Sequence, residues 1–141
     1  NNIVKNQNQC AYGEKIKISV SGQEPLWTEG FITERYRLPE ETEQFERLIA
    51  FCDIFDLPDN FLERPLETYS SGEIKKIDIA RVLSEDSNVI FLDEPLNYMD
   101  VYFREQLEGA ILKYEPTIVF VEHDSRFGRS VSNRIIELPR P

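Results

Sequence analysis

Asp93 and Glu94 stand side by side immediately after the apolar run Val89-Ile-Phe-Leu92 and are followed at once by Pro95. A short continuous apolar run closed by polar residues and proline reads as a strand buried on both faces, the kind found in parallel sheets covered by helices. Ligands of such sheets bind beyond the carboxyl ends of the strands, which is where the two acids emerge. Adjacent carboxylates there suit a hard cation and a polarised water, the requirements of phosphoryl transfer. A strand ending in a solvated acidic turn accounts for the same residues taken alone.

Four further features carry possible chemistry. Ser70-Ser71-Gly72 precedes a helical pattern, so it offers backbone N–H groups and a positive dipole end to an anion, or simply caps the helix. His123 is the chain's only histidine and follows a second apolar strand, Thr117 to Val121. If the two strands are neighbours in a parallel sheet, His123 and Glu94 leave it at the same edge. Gln23, just past an alternating strand, reaches that edge as well, although a loop glutamine by itself signals little. Asp100 lies six residues beyond Glu94 and makes a good N-cap for the next helix.

The elements that must position these residues follow from periodicity. Lys15 to Ser21 alternates Ile16, Ile18 and Val20 with charge or hydroxyl, which predicts a strand with one wet face. Leu26 to Leu38 has no clean period and reads as loop with a short helical piece. Pro39 to Phe55 predicts a helix, with acids in its first turn and Phe45, Leu48, Ile49 and Cys52 on one face. Leu57 to Pro65 connects, with a helical turn near Phe61. Glu73 to Glu85 predicts a largely buried helix, and Asp100 to Tyr114 an amphipathic one stopped by Pro116. A short helix near Ser125 to Ser132 and a last strand, Arg134 to Leu138, complete the order. Alternating helices and strands predict an α/β fold with a mainly parallel sheet. Asn1 to Glu14 is polar and amide-rich and ends in a turn at Tyr12-Gly13.

Composition narrows the classes. With 141 residues and 40% hydrophobic content, the chain can bury a core as one soluble domain or part of one. No run is long enough for a membrane span and no secretory signal opens the chain. Two cysteines, Cys10 and Cys52, without close Cys/His spacing predict neither a disulfide framework nor a zinc site, and fit a reduced cytoplasm. A formal net charge of -10 argues against direct DNA binding through the phosphate backbone. The only methionine is Met99, so the chain reads as a fragment, a processed product or a cloned piece.

The ordered combination is more specific than its parts. Ser-x-Gly before a helix, a strand ending in Asp-Glu-Pro, an Asp six residues on and a strand ending in His resemble the C-terminal portion of an ATP-binding-cassette (ABC) nucleotide-binding domain. The resemblance covers most of the chain and is strongest from Leu66 to Leu138. Asp93-Glu-Pro-Leu-Asn-Tyr-Met-Asp-Val101, with Pro116-Thr-Ile-Val-Phe-Val-Glu-His-Asp124, is similar to the ABC-F class, soluble paired cassettes without membrane domains. The Leu-Asn-Tyr loop looks like the antibiotic-resistance type that protects ribosomes. The implied layout is a single partial domain over 1–141, with a Q-loop near 23 and a helical part at about 26–68. The signature-to-switch segment then covers 69–124 and a terminal strand about 134–138.

The resemblance also implies roles. Asp93 orients Mg2+, Glu94 polarises the attacking water as general base, and His123 contacts the γ-phosphate of ATP. Gln23 senses metal and water. Ser70, Ser71 and Gly72 form the signature that meets ATP on a second cassette, and Asp100 lies in the loop between cassettes. There are departures. Ser71 replaces the first glycine of the signature and Glu73 its glutamine, and Gly22 sits awkwardly before Gln23. No glycine of the chain is followed by lysine, so the Gly-x-x-x-x-Gly-Lys-Ser/Thr P-loop is missing. The expectation is therefore a chain without turnover of its own, and with apolar surface that favours self-association. Two other readings fit some of these features. One is a degenerate cassette acting as a binding module, and the other a DNA-repair or chromosome-maintenance ATPase head, which the lack of a heptad segment disfavours.

Overall fold

The computed structural model describes residues 15–139. Three strands, β1 (Ile18–Ser21), β2 (Val89–Asp93) and β3 (Ile118–Val121), form one parallel sheet in the order β1-β2-β3. The helices are α1 (Thr42–Ile54), α2 (Ser71–Ser84), α3 (Val101–Tyr114) and α4 (Ser125–Val131), with 3-10 turns at Ile32–Arg35, Pro39–Glu41 and Leu66–Thr68. The α/β class and the parallel sheet flanked by helices are as the alternating pattern predicts. The turn at Tyr12-Gly13 lies outside the described residues.

Each helix obeys its local chemistry. On α1, Leu48, Phe51 and Cys52 are buried, with Phe45 and Ile49 packed against the same core. Asp56 takes a left-handed backbone (φ 55), and the Leu57 amide bonds the Cys52 carbonyl at 3.0 Å, which ends the helix. The α2 helix is apolar on most of its circumference because it lies between α1 and the sheet, burying Ile74, Ile77, Ile79, Ala80 and Val82. Phe103, Leu107, Ala110 and Ile111 carry α3 into the same core, and the Phe103 ring meets Phe55 edge-on at 5.1 Å. Near Phe61 the chain makes hydrogen-bonded turns from the Pro58 and Asn60 carbonyls without forming a helix.

Three strand expectations need correction. Register aligns Ser19, Ile90 and Ile118, then Ser21, Leu92 and Phe120, on the face that carries α2. The hydroxyl side of β1 is thus its buried side. Ser21 is 1% exposed and bonds Asp78 at 2.6 Å, while Val20, on the apolar side, is 46% exposed. A polar residue is buried here because a partner on α2 satisfies it. Secondly, β2 is not covered on both faces among the described residues. Ile90 and Leu92 are buried, but Val89 and Phe91 are only half-buried, and Val119 and Val121 of β3 share their open face. Thirdly, Arg134 to Leu138 forms no strand, and Ile135, Ile136 and Leu138 are exposed. A strand exists through its ladder, and this segment joins neither edge of the sheet.

Candidate functional site

Parallel pairing brings the C-terminal ends of β1, β2 and β3 to one sheet edge, and the predicted residues leave from there. The Glu94 amide donates to the Val121 carbonyl at 2.8 Å, so the ladder extends one residue past β2. Glu94 itself has a left-handed backbone (φ 48), a conformation uncommon outside glycine and recurrent at functional sites. This twist turns its carboxylate toward the end of β3. There His123 Nε2 lies 3.0 Å from Glu94 Oε1. The His123 side chain is 84% exposed and that of Glu94 25%, so the imidazole sits over the carboxylate at the rim of the site.

The pair opens onto a cleft of about 200 Å³ whose walls include Asn97, Tyr98, Asp100 and Glu122. Asp100 caps α3, its Oδ1 accepting from the Phe103 amide at 2.8 Å. Asp93, at the end of β2, lies on the open face of the sheet, is half-buried and does not line the cleft. Gln23 follows β1 at the same edge and is exposed, but does not line the cleft.

Ser70, Ser71 and Gly72 also lie outside the cleft, at the start of α2. Ser70 Oγ accepts from the Glu73 amide at 3.2 Å, and Glu73 Oε1 accepts from the Ser70 amide at 3.1 Å. This is a reciprocal capping box, so the substituted Glu73 is occupied in closing the helix. The Arg64 guanidinium lies 4.0 Å from its other oxygen. A Cβ at Gly72 would meet no heavy atom within 4 Å, so nothing among the described residues requires glycine there.

Sequence reasoning missed the residues that stitch this edge together. Glu122 Oε2 accepts from the Leu96 amide at 3.1 Å, and its Oε1 accepts from the amides of His123 and Asp124. It therefore ties the loop after Glu94 to the histidine turn. Asp124 caps α4 through the Arg126 and Phe127 amides and pairs with Arg104 of α3 at 3.2 Å. The Phe127 amide, and after it the Arg104 guanidinium, hold the Asp124 carboxyl below its ordinary value of 3.8. The visible signal was the Glu-His-Asp triplet itself, in which two acids flank the histidine.

Among the described residues no three Asp, Glu, His or Cys side chains converge as a metal cage. Asp93 and Glu94 nonetheless fit Mg2+, which takes hard oxygen donors and commonly binds through one or two carboxylates plus substrate phosphates. Both are hard oxygen donors at one sheet edge, Asp93 on the open face and Glu94 beside His123.

Residues 2–97 match the ABC transporter family, a span that includes Gln23, the Ser70 turn, Asp93 and Glu94. The chain belongs to that family. It is 41% identical to the ATP-binding protein Uup of Haemophilus influenzae over 75 residues, which is 53% of this chain and 12% of that protein. It is 40% identical to the erythromycin resistance ATP-binding protein MsrA of Staphylococcus epidermidis over 77 residues, 55% of this chain and 16% of MsrA. A solved chain from the complex of archaeal ribosomal stalk protein aP1 and archaeal ribosome recycling factor aABCE1 shares the fold. Its TM-score is 0.60 at 25% identity, covering 85% of this chain and 24% of that one. This chain therefore spans a small part of each relative. ATP binding and hydrolysis belong to the family in general.

Proposed function

We propose that this chain supplies the metal-and-water side of one ATP site, and the signature side of another, in an ABC-F ATPase of the cytoplasm. The observation that carries the reading is the 3.0 Å approach of His123 to Glu94 at the ends of adjacent parallel strands. Glu94 serves as the base that polarises the attacking water, and His123 orients it and reaches the γ-phosphate. Asp93 holds Mg2+, which when bound neutralises charge developing on the phosphate oxygens. Gln23 monitors metal and water from the loop after β1. Ser70, Ser71 and Gly72 meet ATP held by a second cassette, which is consistent with a glycine that the chain itself does not need. Asp100 fixes the loop that passes between cassettes.

The loop Leu96-Asn-Tyr-Met-Asp100 and the likeness to MsrA support a ribosome-protecting role in antibiotic resistance. The full-length polypeptide as encoded should release phosphate from Mg-ATP, and Glu94→Gln should lower that rate by about 100-fold or more while ATP binding persists. Hydrolysis by Glu94→Gln at the wild-type rate would refute the assignment. The 141-residue chain alone, having no Gly-Lys pair, should show no Glu94-dependent turnover. Sedimentation of Glu94→Gln with ribosomes in Mg-ATP tests the ribosomal part, and a protein that stays in the supernatant contradicts it.

A second reading has its own support in Ser71 and Glu73, which depart from the signature pattern. In it the chain is a degenerate cassette that pairs with an intact one as a binding module. The reading frame upstream of Asn1 separates the two: a P-loop encoded there favours the ATPase, and a start codon directly before Asn1 favours the module.

A further inference from the structure

Among the described residues a buried polar cluster lies between α2 and the end of β1, outside the cleft. Asp78 and Arg81 of α2 are 3% and 4% exposed, although charged residues are seldom buried so completely without partners. They bond each other, Arg81 Nη2 lying 3.0 Å from Asp78 Oδ1. Arg81 Nη1 also pairs with Glu85 Oε1 at 2.7 Å, and the other bonds go to the end of β1 and the stretch after it. Asp78 Oδ2 accepts from Ser21 Oγ at 2.6 Å, and Asp78 Oδ1 from the Leu26 amide at 3.3 Å. Arg81 Nη2 donates to the Val20 carbonyl at 2.8 Å, and Lys75 Nζ to the Gly22 carbonyl at 3.1 Å. One carboxylate thus holds both ends of the loop 21–26, and Gln23 lies between its two attachments.

We propose that Asp78 and Arg81 are positioning residues that clamp the Gln23 loop to α2, so that Gln23 and the Ser70-Ser71-Gly72 turn at the head of that helix move as one body. Two facts favour this over simple core stabilisation. A buried ion pair is a poor way to stabilise a core, since apolar replacements of similar volume are often neutral or better. In addition, Asp78 reaches past the end of β1 to the Leu26 amide, and Lys75 to the Gly22 carbonyl, in a stretch with no regular structure of its own to hold it in place. The purpose assigned to the clamp rests on the ATPase reading, but its existence does not.

Hydrogen exchange on the full-length polypeptide as encoded separates the two. Without nucleotide, Asp78→Leu combined with Arg81→Met should keep the unfolding midpoint yet speed exchange at the Leu26 amide roughly tenfold, the ratio matching a charge-assisted bond. Asp78→Asn, which retains an acceptor for Leu26, should stay near wild type. Should the double variant fail to fold, Ser21→Ala removes one attachment alone and should speed exchange across 20–27 with α1 unchanged. Wild-type exchange at Leu26 in the double variant or across 20–27 in Ser21→Ala, or equal acceleration in α1, would overturn the clamp. Added Mg-ATP should alter protection at 22–26 and 70–74 together in wild type and uncouple them in the double variant. If neither segment responds, the nucleotide reading fails, while exchange without nucleotide still decides the clamp.

Discussion

Glu94, His123 and Cys52 show how much a single side chain owes to its place. Glu94 emerges from β2 with φ 48, and its carboxylate meets an imidazole 29 positions along the chain. The types and order of these residues were readable in the chain, because the apolar runs ending in Asp-Glu and in His occur in one order with the Ser-x-Gly turn. The twist was not, since backbone strain leaves no mark in residue type. Cys52 is the opposite case: it is 0% exposed in the α1 face, and burial pushes its thiol up to about 12. It should therefore resist iodoacetamide in the native chain and react on unfolding; rapid native labelling would contradict its burial. Asp124 carries a pH prediction. Its folded pKa is depressed, so its caps on α4 and its pair with Arg104 stabilise above the ordinary Asp value and are lost as pH falls through the folded one. The acid limb of the thermal unfolding profile should flatten in Asp124→Asn, and an unchanged limb would count against this.

Helices were the most legible elements, because their apolar spacing and caps are local. Asp100 and Pro116 mark where α3 begins and stops, Pro39 opens the 3-10 turn that leads into α1, and apolar residues of both helices pack into the core. Strands were read less well because their surroundings are non-local. Nothing in Ser19 and Ser21 reveals that Asp78 and Glu85, 57 and 66 positions away, wait to bond them. The same limit hid the lack of a ladder for Arg134 to Leu138. At the head of α2 the capping box makes a quantitative prediction. Ser70→Ala should cost about 1 kcal/mol, read as a lower unfolding midpoint, with Glu73→Ala showing a smaller loss. A midpoint unaltered by Ser70→Ala would mean that the box does not hold the helix.

Across the whole molecule, all four helices pack on one side of the sheet or around its helical core, and among the described residues the other side is open. Val20, Val119 and Val121 are 46%, 50% and 58% exposed there, and among the described residues no strand pairs with the outer edge of β3. Exposed apolar strands and free edges associate. The 141-residue chain should consequently show a concentration-dependent mass by light scattering, and Val119→Lys should shift it toward the monomer; a concentration-independent monomer would contradict this. Asp93 also stands on the open face, at the same sheet edge as Glu94. The lack of a Gly-Lys pair was legible in the chain, whereas the open face needed the structure.

The central claim is that Glu94 and His123 act as a unit on the attacking water. A double-mutant cycle on the full-length polypeptide, reading steady-state phosphate release from Mg-ATP, tests it most directly. Glu94→Gln and His123→Ala should each lower the rate by about 100-fold or more, and the double variant should be scarcely slower than the worse single one. Losses that multiply independently, or a single variant at the wild-type rate, would contradict it.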